Sequence, residues 1–440
     1  MEAGAVIRSA IVTLLLVLLL LALGHLYEDV LGLPGLPAAV SLGFILVASH
    51  TFSRLFVPLR LPRICAYMVM GMLCGPFVLG LISRQSVEDL RLIERAAIAL
   101  IALTAGGEIR WALIRQRYGT LLVLMASIAV VVLVGTTAGF LALLPMVGFL
   151  EGAPGPAIIA AAVLMGVTAV AKSPSTAVAV IKETRARGTL TETILAVLLL
   201  LDVTAVILFA FALGFAEQLT GHVDTFRLAD LLALLWEIVG ALPVGAAIGL
   251  LVSLYFRFVR GNYLLFVFLL CLLLVETADA WGIEPIMMAV MVGFTVENLS
   301  DQGEDLMRAI DRSHLPVYVA FFTLAGASVD FRFLGLNWGS TLALIVLIGG
   351  LTWVGTELGG WLRRFEKPHR HYLFMGLIAQ AGLNLSFATV IRDRLPPPLG
   401  EGLYTLILAR VAVKQLLGPI LFRFALDRVG EIGATAKPET

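Results

Sequence analysis

Lys172, Ser173, Ser175 and Thr176 crowd around Pro174 in AVAKSPSTAVAV, and Asp202 stands in the next long apolar run, LLLLDVTAVILF. An ionised side chain in hydrocarbon is expensive, so it faces a cavity or a partner. Proline removes a backbone donor and crowds the preceding turn, and the carbonyls it frees must be satisfied or line water. A carboxylate opposite a break rich in hydroxyls and carbonyls is the oxygen set that a hard alkali cation or a proton uses. The plainer readings are a proline kink capped by serines and a structural Lys172–Asp202 salt bridge. Asp202 tilts the balance towards an ion or proton site, with Ser173, Ser175 and Thr176 as supporting ligands and Lys172 as the charge-compensating partner.

A second constellation lies in HYLFMGLIAQAGLNLSFATVI, residues 371–391, where Gln380, Gly382, Asn384 and Ser386 interrupt an apolar span. Asn384 is a further candidate ligand, and Gly382 marks the break as Pro174 marks the first. Gln380 and Asn384 also suit hydrogen bonding between helices. The following span carries Lys414 near its middle and Arg410 closer to one end, within reach of snorkelling. Lys414 suits a scaffold role, balancing a helix end or a carbonyl cluster.

The elements that must position these residues are membrane helices. Of 440 residues 60% are hydrophobic and 14% charged, whereas soluble domains are about half apolar and a quarter charged. Runs of the roughly 20 residues needed to cross a bilayer recur fourteen times between 5 and 424, among them 118–148, 156–181, 189–216, 227–258, 339–362, 370–391 and 402–424. Spans 156–181 and 189–216 place Lys172 and Asp202 at comparable depth on consecutive antiparallel segments. Lysines and arginines concentrate in alternate loops starting from the N-terminus, which puts both termini in the cytoplasm, as an even helix count also requires. The span 5–24 reads as a retained helix because no small-x-small cleavage site follows it.

Formal net charge is zero, which argues against a nucleic-acid partner. Cys65, Cys74 and Cys271 fall in apolar segments and read as core residues. The six histidines show no metal-ligand spacing, and there is no phosphate loop or nucleophile motif, so the chain reads as a transporter without cofactor or enzymatic activity. The interrupted helices are sixth and thirteenth in order. Polar-broken helices in corresponding places of two halves point to a transporter's binding site, and the odd offset of seven makes the halves inverted.

Several stretches carry a family likeness in a fixed order. They are LPRICAYMVMGMLCGP (61–76), LIALTAGGEIR (100–110), KSPSTAVAVIKE (172–183), LLDVTAVILF (200–209), YVAFFTLAGASVDF (318–331) and AQAGLNLSF (379–387). Together, over about residues 37 to 425, the chain resembles the monovalent cation:proton antiporter superfamily, nearest its NapA- and Kef-like branch. The resemblance implies an all-α polytopic fold of two inverted six-helix repeats with crossed, interrupted helices. Residues 1–36 would form an extra N-terminal helix, 37–216 the first repeat, 217–261 a linker helix, 262–425 the second repeat and 426–440 a cytoplasmic tail. It implies a core domain of about 91–216 and 313–425 and a dimerisation domain of about 37–82 and 262–299. The protein would be a homodimer in a lipid bilayer, of bacterial inner-membrane type, serving pH homeostasis by exchanging Na⁺ or K⁺ for protons in an elevator motion. The family's essential aspartate falls on Asp202.

Three departures qualify this. Many relatives place an acid or amide immediately before that aspartate, where this chain has Leu201. Many carry a basic residue midway along the helix corresponding to 339–362, where this chain has none. Lys172 instead stands at the crossover, as though the lysine had changed helices. One carboxylate in place of two favours electroneutral exchange. A cation channel, an organic-anion transporter using Lys172, and a non-transporting membrane sensor are the competing readings.

Overall fold

Every regular element among the described residues of the computed structural model is helical; those residues are 2–26, 37–109, 111–221, 236, 239–258, 263–300, 303–329 and 338–433. Most of the first half of predicted span 227–258, and Asp330 and Phe331 of the FFTLAGASVDF stretch, lie outside them. Among the described residues seven helices are long and apolar enough to cross a membrane, or eight if the bent pair Lys367–Leu377 and Gly382–Arg394 is one span.

In chain order the helices are α1 (Glu2–His25), α2 (Ala38–Ser53), α3 (Arg63–Cys74), the short α4 (Arg84–Asp89), α5 (Arg91–Gly107) and α6 (Trp111–Ala142). There follow α7 (Gly155–Val170), α8 (Pro174–Thr184), α9 (Thr189–Leu219), α10 (Ala241–Phe258), α11 (Tyr263–Trp281) and α12 (Pro285–Leu299). The chain continues through α13 (Gly303–Ala327), α14 (Trp338–Leu362), α15 (Lys367–Leu373), α16 (Gly382–Arg394) and α17 (Leu399–Val429). Predicted span 118–148 starts and ends earlier in the structure: α6 runs 32 residues from Trp111 to Ala142, and two 3-10 turns, the first containing Pro145, carry the chain to Leu150. Proline in the first turn of such a segment sacrifices only a donor that has no helical partner there.

The chain divides into two compact units. The first comprises residues 1–107, 248–281 and 288–330. Its helices cross at backbone contact because glycine leaves room. A Cβ on Gly71 of α3 would lie 1.9 Å from the Thr323 carbonyl oxygen of α13, and one on Gly326 would lie 2.2 Å from that of Met68. Helices α5 and α12 meet in the same way, Gly106 against Val290 and Gly293 against Leu103.

The second unit comprises residues 108–247, 282–287 and 331–440. Here α6 packs along α14, with Gly135 and Gly139 receiving Leu351 and Leu347, and Gly355 and Gly359 lying against Ile128 and Leu124. Helix α7 sits on both α6 and α9, and α17 lies along α16 and α8. This unit contains both interrupted helices and all the candidate site residues.

Candidate ion site at the crossed helix breaks

The first break is written by Pro174. The residue before a proline is driven out of the α region, and Ala171 and Ser173 are extended, with ψ of 136° and 99°. Proline suits the first turn of a new helix, where its missing N–H has no partner to lose, and α8 starts there. Ser173 caps α8: its Oγ accepts from the Thr176 N–H at 3.3 Å. Its hydroxyl also shares hydrogen bonds with those of Thr176 at 2.8 Å and Ser175 at 3.2 Å.

The second break has no proline. A 3-10 turn over Phe374–Leu377 follows α15, and α16 begins at Gly382, the two arms bent by 46°. The breaks bond to each other directly, the Ser173 N–H donating to the Ala379 carbonyl at 3.0 Å. Helix α17 passes so close to this point that a Cβ on Gly418 would lie 2.9 Å from the Ala379 nitrogen.

Ending α7 inside the protein leaves its last carbonyls without helical partners, and four side chains take them up. The Gln380 amide reaches the carbonyls of Thr168, Ala169 and Ala171 at 3.2, 3.4 and 2.9 Å. Asn384 Nδ2 donates to Ala171 at 3.2 Å, and Arg410 Nη2 donates both to Thr168 and to Asn384 Oδ1, each at 3.2 Å. The Lys172 ammonium donates to Ala169 at 2.9 Å. Cations at this end also complement the negative pole of the α7 dipole.

Asp202 lies mid-way along α9 and is 3% exposed. Its Oδ1 accepts from the backbone N–H of Lys172 at 3.3 Å. The side-chain ion pair suggested by the sequence is replaced by this main-chain contact. The ammonium turns instead to Ala169 and, at 3.3 Å, to Thr352 Oγ1 on α14. The physical reason is the broken helix: its exposed carbonyl competes for the ammonium, while the extended backbone aims its own N–H at the carboxylate.

The predicted residues therefore fall into three groups. Asp202 and the Lys172 backbone meet; Ser173, Ser175 and Thr176 bond among themselves and cap α8; Asn384, Lys172 and Arg410 serve the carbonyl end of α7. Lys414 is fully buried, and its Nζ has no hydrogen-bond partner. Gln380 carries more of the crossing than the sequence suggested, and its signal was its place in the second break. Thr352 was missed, because a lone threonine in an apolar span signals nothing. Glu284, half-buried and within Coulomb range of Asp202, was missed too. Its carboxylate accepts from the Met287 N–H at 2.6 Å, and it stands immediately before α12, where caps are common.

The family model described as "Sodium/hydrogen exchanger, transmembrane" matches residues 41–427. Among solved structures the chain is similar to the sodium proton antiporter MjNhaP1 from Methanocaldococcus jannaschii at pH 8. That likeness has 16% identity and a TM-score of 0.63, and covers 89% of this chain and 96% of that one. A second, electron-microscopy structure of the same antiporter gives 17% identity, a TM-score of 0.70, and coverage of 90% and 99%. These identities speak for the fold alone. No curated protein sequence matches the chain.

Proposed function

Since this chain belongs to the transmembrane sodium/hydrogen exchanger family, we propose that it exchanges a monovalent cation, Na⁺ or K⁺, for protons, with Asp202 as the carboxylate both use. The observation that carries this reading is a buried carboxylate in mid-helix, held against the extended backbone between α7 and α8. A proton or a cation neutralises Asp202, and the neutral site then crosses the barrier. Bare, the carboxylate faces the full desolvation cost of an unpaired buried charge, so an empty ionised site stays where it is. That asymmetry enforces exchange over leak. One carboxylate cycling between one proton and one cation makes the exchange electroneutral.

Fourteen spans in two inverted repeats, 37–216 and 262–425, fit this chemistry. The glycine crossings support the repeat: α3 meets α13 and α5 meets α12, which are the same pairing with the halves exchanged. In an elevator motion the second compact unit is the moving body. The sequence-derived core of 91–216 and 313–425 also included α5 and α13, which those crossings tie to α12 and α3. The first unit then supplies the fixed scaffold and the homodimer contact, with both termini in the cytoplasm.

The test is ion-driven proton flux in proteoliposomes with Na⁺, K⁺ and Li⁺, the membrane potential clamped or free. Wild type moves protons against at least one cation, insensitive to potential, and Asp202→Asn does not. Proton-coupled exchange by a folded Asp202→Asn variant at wild-type rate would overturn the assignment.

A further inference from the structure

We propose that the buried cationic cluster of Lys172, Arg410 and Lys414 holds one small inorganic anion of chloride type beside the crossed breaks, and that exchange at Asp202 depends on its presence. The second half of this rests on the cation-exchange reading above; the first half does not.

Charge and hydrogen bonding both call for an acceptor that the described residues do not supply. Arg410 and Lys414 stand four residues apart on α17, hence on one face, and neither has any exposed surface. Lys414 is within Coulomb range of both Lys172 and Arg410. The Lys414 ammonium has no partner, and Arg410 uses only Nη2, leaving Nε and Nη1 without acceptors. An arginine does not escape by losing its proton. Lys172 adds a third cation, 1% exposed, with two of its three donors committed to Ala169 and Thr352.

Against these three stands Asp202, already engaged by the Lys172 amide. With both lysines protonated, adding the half-buried Glu284 still leaves positive charge in excess. Buried charges are ordinarily paired or bound to an ion, and an unpaired one is strongly unfavourable. Water satisfies donors but leaves the charge. A monovalent anion does both, and full enclosure of Arg410 and Lys414 restricts it to a small one, excluding organic acids. The consequence for transport follows from Coulomb's law: an entering Na⁺ meets three fixed cations, and an anion among them lowers that repulsion.

The experiment uses the purified full-length protein. Equilibrium binding of ³⁶Cl⁻ is measured on wild type, Asp202→Asn, Lys414→Met and the gentler Lys414→Gln, alongside thermal melting in chloride against gluconate at constant ionic strength. The expected result is saturable binding of one chloride per chain in wild type and Asp202→Asn, with a chloride-specific rise in melting temperature. Affinity should fall by about tenfold or more, a loss of roughly 1.4 kcal/mol, in whichever Lys414 variant folds. Proton flux in wild-type proteoliposomes should fall when gluconate replaces chloride. Absence of saturable binding overturns the site. Binding with equal flux in both anions removes its role in exchange. Binding retained while no cation drives flux in either anion leaves the site standing and overturns the antiporter reading instead.

Discussion

Asp202 accepts its hydrogen bond from the backbone of Lys172 at 3.3 Å, while the ammonium of that lysine lies on the Ala169 carbonyl at 2.9 Å. A main-chain donor survives any side-chain substitution short of proline. Lys172→Met should therefore keep the Asp202 contact and lose the bonds to Ala169 and Thr352. Hydrogen bonds to a charged donor contribute about 1.5–3 kcal/mol, and the cluster loses one of its mutually repelling cations, which offsets part of that. We predict a stability loss of about 1–3 kcal/mol with exchange slowed but present, whereas Asp202→Asn abolishes it. Flux and denaturant midpoints on the two variants decide the matter. A Lys172→Met protein as inactive as Asp202→Asn would mean that the ammonium itself takes part in the carboxylate's cycle.

The carbonyl end of α7 predicts a coupling. Gln380 and Asn384 both donate to the Ala171 carbonyl, at 2.9 and 3.2 Å, whereas the Thr168 and Ala169 carbonyls keep Arg410 and Lys172 when Gln380 is lost. Gln380→Leu and Asn384→Leu alone each leave Ala171 one donor. Together they orphan it, at a further cost of about 1–3 kcal/mol. A double-mutant cycle on unfolding should show destabilisation beyond the sum of the two. Strict additivity would show that water replaces the side chains at no cost.

The glycine crossings predict a sharp positional contrast. At Gly71 a Cβ would sit 1.9 Å from a carbonyl oxygen of a neighbouring helix, while at Gly43 nothing lies within 4 Å. Gly71→Ala must push α3 off α13, at a cost of about 1–3 kcal/mol for overpacking, and Gly43→Ala should be neutral or slightly stabilising. Comparing melting temperatures of the two suffices. Equal behaviour would mean that α3 and α13 do not pack at this distance.

The legible part of this site was the part fixed by local chemistry. Pro174 dictates a break wherever its chain lies, and a carboxylate in LLLLDVTAVILF demands a partner in any fold. The direction of the Lys172 side chain was not legible, since it depends on Ala169 and on Thr352, 180 residues away. Gln380 likewise bonds to carbonyls more than 200 residues earlier in the chain. The absence of a basic residue from 339–362 was visible, and the ammonium of Lys172 reaches Thr352 on that same helix. The likeness therefore pointed to the right neighbourhood without giving the contact. Glu284 went unnoticed because a carboxylate at the start of a span looks like any cap until α9 is seen beside it.

A last prediction concerns the other end of the Asp202 helix. Helix α9 starts after Gly188, which has no side chain to cap it and holds φ at 152°. Residues beyond about 425 read from sequence as a polar tail, yet α17 continues to Val429 and Glu431 folds back beneath α9. Its carboxylate accepts from the N–H groups of Leu190 and Thr191 at 2.7 and 2.8 Å and from the Thr191 hydroxyl at 2.7 Å. Glycine suits 188 because its φ of 152° strains other residues, and a Cβ there would also crowd the Glu431 carboxyl group. An acid at a helix N-terminus satisfies orphan donors and meets the positive pole of the dipole. Glu431→Ala takes the acceptor from three buried donors, two N–H groups and a hydroxyl, and we predict a loss of about 1–3 kcal/mol. Glu431→Gln keeps one acceptor oxygen and should recover part of it, falling short by the charge–dipole contribution of about 0.3–1 kcal/mol. Thermal unfolding of the three proteins in one detergent gives the order wild type, Gln, Ala. Should Glu431→Ala melt with wild type, the C-terminal segment does not anchor the helix that carries Asp202.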